Sequence, residues 1–135
     1  MIDLAIRQCG FGDLKPIKGY HFPKGAYVEY SGNIAADQKE TVQEKINIRL
    51  SELVGKQEPD VESRVLAYDE AREFLRGVMP EYVKDPVVRV VRILPEDNGY
   101  PCGGTHVKNV ADFKELKVTK INQKGKTTRF SYSAC

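Results

Sequence analysis

The sequence predicts an α+β fold in which a mostly antiparallel sheet of five or six strands packs on one long helix. Three observations carry this expectation. From Asp37 to Val54, residues Val42, Ile46, Leu50, Leu53 and Val54 fall on one helical stripe, with Gln38, Lys39, Glu40, Glu44 and Lys45 mostly off it. Short β-type runs bounded by Gly and Pro occur before and after that stretch. The chain has 135 residues, 41% hydrophobic and 30% charged, which suits one globular domain and is too little for two ordinary ones.

Each element follows in chain order. Met1 to Cys9 places Ile2, Ala5, Ile6 and Cys9 at helical spacing, and Gly10 and Gly12 stop it. No capping side chain precedes this stripe, so it reads as the last turns of a helix. Gly19 to Tyr30 reads as an aromatic hairpin turning at Pro23-Lys24-Gly25, with Tyr27 and Glu29 on one face and Val28 and Tyr30 on the other. The long helix stops at Gly55. Val61 to Tyr68 is a strand, and Asp69 to Leu75 is a short edge helix with Asp69 as its N-cap and Gly77 as its stop. Val87 to Leu94 is a continuous apolar run with two arginines, bounded by Pro86 and Pro95, and reads as a central strand. A loop follows from Glu96 to Gly104. Leu116 to Asn122 and Thr127 to Tyr132 are two strands joined through Gln123-Lys124-Gly125-Lys126.

Composition excludes several classes. No run of eighteen apolar residues exists, so no membrane-spanning helix is expected. The three cysteines are odd in number and widely spaced, which argues against a disulfide framework and for a reducing, cytoplasmic setting. No phosphate loop or dinucleotide fingerprint is present. Residues 1–83 carry 11 Lys or Arg against 14 Asp or Glu, and residues 84–135 carry 10 against 5. A basic C-terminal part suits a polyanion such as RNA, although outward lysines on solvated strands give the same count.

The chemistry-bearing motif is Pro101-Cys-Gly-Gly-Thr-His106. Cys102 and His106 are four apart, and Gly103 and Gly104 between them allow a tight backbone on which a thiolate and an imidazole converge. Those donors suit zinc, but a closed site needs three or four protein ligands. Cys9, Cys135 and His21 are further candidates, none in a paired spacing. A Cys102 nucleophile with His106 as base is a second reading, and a loop cysteine with an exposed histidine a third.

Cys102-Gly-Gly-Thr-His-Val107, preceded by the Val87–Leu94 strand and followed by Asn109-Val-Ala-Asp-Phe113 and Leu116-Lys-Val-Thr-Lys-Ile121, resembles the second additional domain of threonyl- and alanyl-tRNA synthetases. The likeness continues through Lys124-Gly-Lys126 and Arg129-Phe-Ser-Tyr132, and Gly19 to Tyr30 resembles the free-standing alanyl-tRNA editing proteins of the AlaX type. The resemblance covers nearly the whole chain and tips the Cys102–His106 reading toward a metal.

The resemblance implies an editing-domain-like fold, one domain over residues 1–135, and a trans-editing hydrolase that deacylates alanine tRNA carrying serine or glycine. It implies zinc held by a His-x-x-x-His pair on the first helix and a Cys-x-x-x-His pair, the second mapping to Cys102 and His106. Thr105, between the ligands, would line the pocket as a catalytic residue, and Gly103 and Gly104 would shape it. The tRNA would be touched by His21, stacking on a base, by Glu29 if it faces a pocket, and by Lys117, Lys120, Lys124 and Lys126 on phosphates. The same residues allow a plain alternative for His21 and Glu29, a half-exposed strand histidine and a solvated carboxylate.

No His-x-x-x-His occurs in this sequence. The expectation is therefore a domain lacking the start of its first helix, with an in-frame His-x-x-x-His directly upstream of Met1; a stop codon there would remove it. Apolar surface left by the missing turns would favour a homodimer, which monomeric sedimentation would exclude. The competing functions are a non-catalytic tRNA-binding or interaction module that kept the fold and lost the metal, and a fragment of an alanyl-tRNA synthetase.

Overall fold

The computed structural model describes residues 1–55, 61–77, 79–93 and 97–135. The chain divides into two compact units, residues 1–55 with 113–135, and residues 56–112.

In the first unit α1 (Ile2–Ile6) runs into a wider turn over Arg7–Phe11, within which Gly10 takes φ +93° and ends the helical path. Four strands follow the order β1-β2-β7-β6, all antiparallel: β1 (Lys15–Tyr20), β2 (Tyr27–Ser31), β6 (Leu116–Lys124) and β7 (Thr127–Ala134). α2 (Lys39–Gly55) follows a 3₁₀ turn at Ala36–Gln38 and buries Val42, Ile46, Leu50 and Leu53. These are the stripe positions read from the sequence, except that Val54 is only half-buried. Opposite them in the sheet sit Tyr30 and Phe130, ring edge to ring face at 5.6 Å and 87°. The Tyr30 hydroxyl donates to Asp3 Oδ1 at 3.0 Å, the polar end of a buried ring finding a partner.

β6 is an edge strand, whose outward N–H and C=O groups need partners. Asn47 of α2 supplies both: its amide nitrogen donates to the Val118 carbonyl (2.9 Å) and its amide oxygen accepts the Val118 N–H (2.7 Å).

In the second unit β3 (Val61–Ala67), β4 (Val87–Ile93) and β5 (Tyr100–Pro101) form a separate antiparallel sheet with β4 central. α3 (Tyr68–Phe74) covers one face, packing Ala71 and Leu75 against Val88 and Val90. Gly99 precedes β5 at φ +87°, where a Cβ would lie 3.0 Å from both Arg92 Cβ and Leu75 Cδ2. Only glycine fits that return without strain.

Several expectations are corrected. The strands do not form one sheet on one long helix: β3 and β4 pair with each other and are covered by α3. The short helix starts one residue early, with Ala67 at the N-cap position and Asp69 inside the first turn; the Glu70 carboxylate, not Asp69, accepts the Ala67 N–H (3.2 Å). The loop expected from Glu96 to Gly104 contains β5, while Leu94 and Glu96 lie outside the described residues. The first helix exposes no apolar stripe, since Ile2, Leu4, Ala5 and Ile6 are all buried, so the stated ground for a homodimer is absent. No helix among the described residues is long and apolar enough to cross a membrane.

Candidate functional site

The Cys-Gly-Gly-Thr-His loop leaves the sheet of the second unit directly after β5. Its first residue is tied to β4, because the Cys102 N–H donates to the Arg89 carbonyl at 3.0 Å. The Arg89 side chain completes the attachment. Its Nη1 donates to the carbonyls of Cys102 (3.3 Å) and Gly104, and its Nε donates to Ser63 Oγ on β3 (2.9 Å). One planar guanidinium thus joins the strand pair to two carbonyls of the loop, a geometry that its rigid fork of donors suits.

Cys102 is half-buried, and Gly103, Gly104, Thr105 and His106 are exposed. Neither glycine takes a positive φ, and neither would clash with an added Cβ: Gly103 has open space around it and Gly104 would meet Cys102 Sγ at 3.7 Å. Arg89 ties this loop to the strand pair. Among the described residues no group of three or more His, Cys, Asp or Glu side chains is arranged to hold a metal ion. Cys102 and His106 have the right chemistry for zinc, but two donors do not make a closed site.

The other cysteines, Cys9 and Cys135, belong to the first unit. Burial pushes the Cys9 thiol up, against the lowering influence of Arg49 and Lys45, so it stays protonated at neutral pH. Its Sγ lies 3.6 Å from the Lys45 carbonyl. Cys135 is exposed, and its backbone pairs with Lys114 and Glu115.

The predicted tRNA-touching residues all lie in the first unit. His21 is not a strand residue: it follows β1 in the loop before β2, its Nδ1 is 2.6 Å from the Tyr132 hydroxyl, and its ring folds back where a Cβ on Gly19 would sit. Partial desolvation there lowers its pKa below the ordinary histidine value. Its ring is therefore engaged, and the exposed rings of this loop region are Tyr20 and Phe22.

Glu29 is not a solvated carboxylate. It is 8% exposed and receives Arg129 Nε (2.8 Å) and Nη2 (2.6 Å) from β7 and Lys18 Nζ (3.2 Å) from β1. Lys117 is exposed but paired with Glu115 at 3.1 Å. Lys120, Lys124 and Lys126 are exposed, and Lys120 borders a shallow cleft with Lys39, Glu40, Gln43 and Glu44 of α2.

The second unit holds a comparable carboxylate, Glu62, which stands in no motif that would single it out. Glu62 accepts from Arg92 Nε (2.6 Å) and from Arg64, and both guanidinium groups lie over the Phe74 ring, at 5.2 Å for Arg64 and 4.3 Å for Arg92. Burial alone would raise the pKa of Glu29 and Glu62, but their cationic partners outweigh it and hold both below the ordinary value of 4.5. In the folded state each carboxylate therefore binds fewer protons than in the unfolded chain just below that value. Their stabilisation is complete above about pH 4.5 and falls away as acid titrates the depressed native groups. Glu29→Gln/Glu62→Gln should accordingly flatten the acid limb of a plot of unfolding free energy against pH below 5, a limb of unchanged steepness contradicting this.

Comparison with known proteins places this geometry. Residues 88–130, from β4 to β7, match the family described as the threonyl and alanyl tRNA synthetase second additional domain. The stretch from β4 to β7 of this α+β chain is thus similar to the second additional domain. Two relatives that it resembles are of the alanyl kind. An alanine–tRNA ligase of Acholeplasma laidlawii is 29% identical over 115 residues, 77% of this chain. An alanyl-tRNA editing protein AlaX-M of Methanosarcina barkeri is 52% identical over 31 residues, 23% of this chain. Each matched stretch spans 13% of the relative's own length.

Proposed function

We propose that this chain acts in alanyl-tRNA editing, as a trans-editing hydrolase domain that removes serine or glycine from alanine tRNA. The observation that carries the reading is the Cys102–His106 loop, fixed to β4 by Arg89 within the stretch that matches the second additional domain. Loop fixation matters because ester hydrolysis depends on holding the reacting groups in place. The names of the two relatives support alanine tRNA as the substrate class. The family likeness implies zinc, for which Cys102 and His106 would be two ligands and which would polarise an ester or water oxygen. Two donors do not fill its coordination, so the chain's own contributions are placement of this loop, with Thr105 beside it, and binding of the RNA.

A second reading is a tRNA-binding module without hydrolytic activity, or the same domain as part of a synthetase. The lack of a three-donor group among the described residues favours it. Zinc content and deacylation of serine-charged alanine tRNA, measured on the purified chain and on Cys102→Ala and His106→Ala, decide between them. Near one zinc per chain with deacylation, both lost in the two variants, is expected for the hydrolase. Deacylation that survives both substitutions overturns the assignment of the loop. No zinc and no deacylation, with tRNA still bound, leaves the binding module.

A further inference from the structure

The register of the four-stranded sheet sets one face apart. Three cross-strand rows run over β1, β2, β7 and β6: Lys15, Ser31, Thr127 and Lys124; then Lys18, Glu29, Arg129 and Asn122; then Tyr20, Tyr27, Ser131 and Lys120. Successive rows are two residues apart along β2, β6 and β7, about 6.7 Å, and the pairing carries β1 with them, so all twelve side chains share one face. A bulge at Ile17 absorbs the extra residue between Lys15 and Lys18. The opposite face carries Tyr30, Thr128, Phe130 and Ile121, which are buried.

The first face has five cations and one carboxylate, and that carboxylate is already neutralised. Glu29 sits low between Lys18 and Arg129 and fixes both. Arg129 is thereby held over the Tyr27 ring, Cζ to centroid 4.0 Å. Tyr27 stacks beside Tyr20 (5.6 Å, 13° between planes), and Tyr20 meets Phe22 at 5.0 Å. Tyr20 and Phe22 remain 42% and 65% exposed. A four-stranded sheet with exposed aromatic rings among fixed cations has what unpaired nucleotides require: flat faces for bases and positive charge for phosphates. An acidic peptide would use the charge but leave the rings without a flat partner.

We propose that this sheet face is a docking platform for the unpaired 3′ end of an RNA, with Tyr20 and Phe22 stacking on bases and Lys15, Lys120 and Lys124 meeting phosphates. This rests on the reading that the chain's substrate is a tRNA. The test uses the full chain and two synthetic, fluorescein-labelled RNA hairpins, one with four unpaired nucleotides at its 3′ end and one blunt. The unpaired end should tighten binding. Tyr20→Leu/Phe22→Ala should weaken binding of the tailed hairpin roughly ten-fold and bring it to the level of the blunt one. Tyr20→Trp, which keeps a ring, should retain binding. Lys15→Gln/Lys124→Gln should lower the slope of log affinity against log salt by about 1.5. Equal binding of the two hairpins by the unaltered chain, or binding of the tailed hairpin within two-fold after the ring substitutions, overturns the proposal. Phe22→Ala alone guards against misfolding, being the most exposed ring of the group, and must show a smaller loss in the same direction. Deacylation of serine-charged alanine tRNA by the unaltered chain reports separately on the enzymatic reading, since it can fail while tail-dependent binding persists.

Discussion

Phe130→Ala is expected to cost about 3–5 kcal/mol of unfolding free energy. Phe130 is fully buried on the inner face of β7 and presents its ring to Tyr30 in an edge-on contact. It pairs with Val28 on one side and Ile121 on the other, so its removal leaves a void bounded by three strands. The surroundings collapse poorly because Tyr30 is anchored through its hydroxyl to Asp3 and β6 is anchored through Asn47. A domain of ordinary stability, about 5–15 kcal/mol, would lose a large share of its margin. Urea unfolding followed by circular dichroism should show the midpoint falling at nearly constant slope. Hydrogen exchange should quicken first in β2, β6 and β7. A loss below about 1 kcal/mol would mean that Phe130 is not the centre of this core.

The sequence made some of this architecture legible because periodicity is a local property. The α2 stripe and the β6–β7 hairpin carry their burial pattern within one element, and both lie where the pattern put them. Pairing is not local. Nothing in the run Val87–Ile93 says that its neighbour is Val61–Ala67 and not the β2 hairpin, and for that reason one sheet was expected where there are two. β1 begins at Lys15, ahead of the hairpin start expected at Gly19, and Pro16 is tolerated where it stands, on an edge strand beside a bulge. β5 has only two residues and therefore no period to read.

The candidate site divides in the same way. Cys102 and His106 announce themselves by residue type, and the family match covers the loop that carries them. Glu29 looked solvated because its partners are remote: Arg129 lies 100 positions along the chain. The platform face was half visible, since Lys120 and Lys124 stood out, but Lys15, Lys18 and Tyr20 join them only through three strand pairings. Arg89 was hidden for another reason. An arginine inside an apolar strand resembles the solvent-facing position of a half-buried sheet, and its role depends on a loop thirteen residues later.

Arg89→Ala should therefore separate positioning from folding. The substitution removes the bond to Ser63 and both bonds to the loop carbonyls, but leaves the backbone bond between Cys102 N–H and the residue-89 carbonyl. Hydrogen bonds from a charged donor contribute about 1.5–3 kcal/mol each when buried, and Arg89 is only half-buried, so global unfolding free energy should fall by about 1–2 kcal/mol. The larger effect is local. Amide exchange from Gly103 to His106 should accelerate ten-fold or more while β3 and β4 stay protected, because the loop loses the guanidinium that ties two of its carbonyls to the sheet. Arg89→Lys should resemble alanine more than arginine, since one ammonium cannot reach Ser63 and two carbonyls from a single point. If the loop carries the editing chemistry, deacylation should fall in both variants with substrate binding nearly unchanged, the pattern of lost positioning and not of lost affinity. Unaltered exchange across Gly103–His106 would show that the loop is held by something other than Arg89, and would remove this residue from any account of the site.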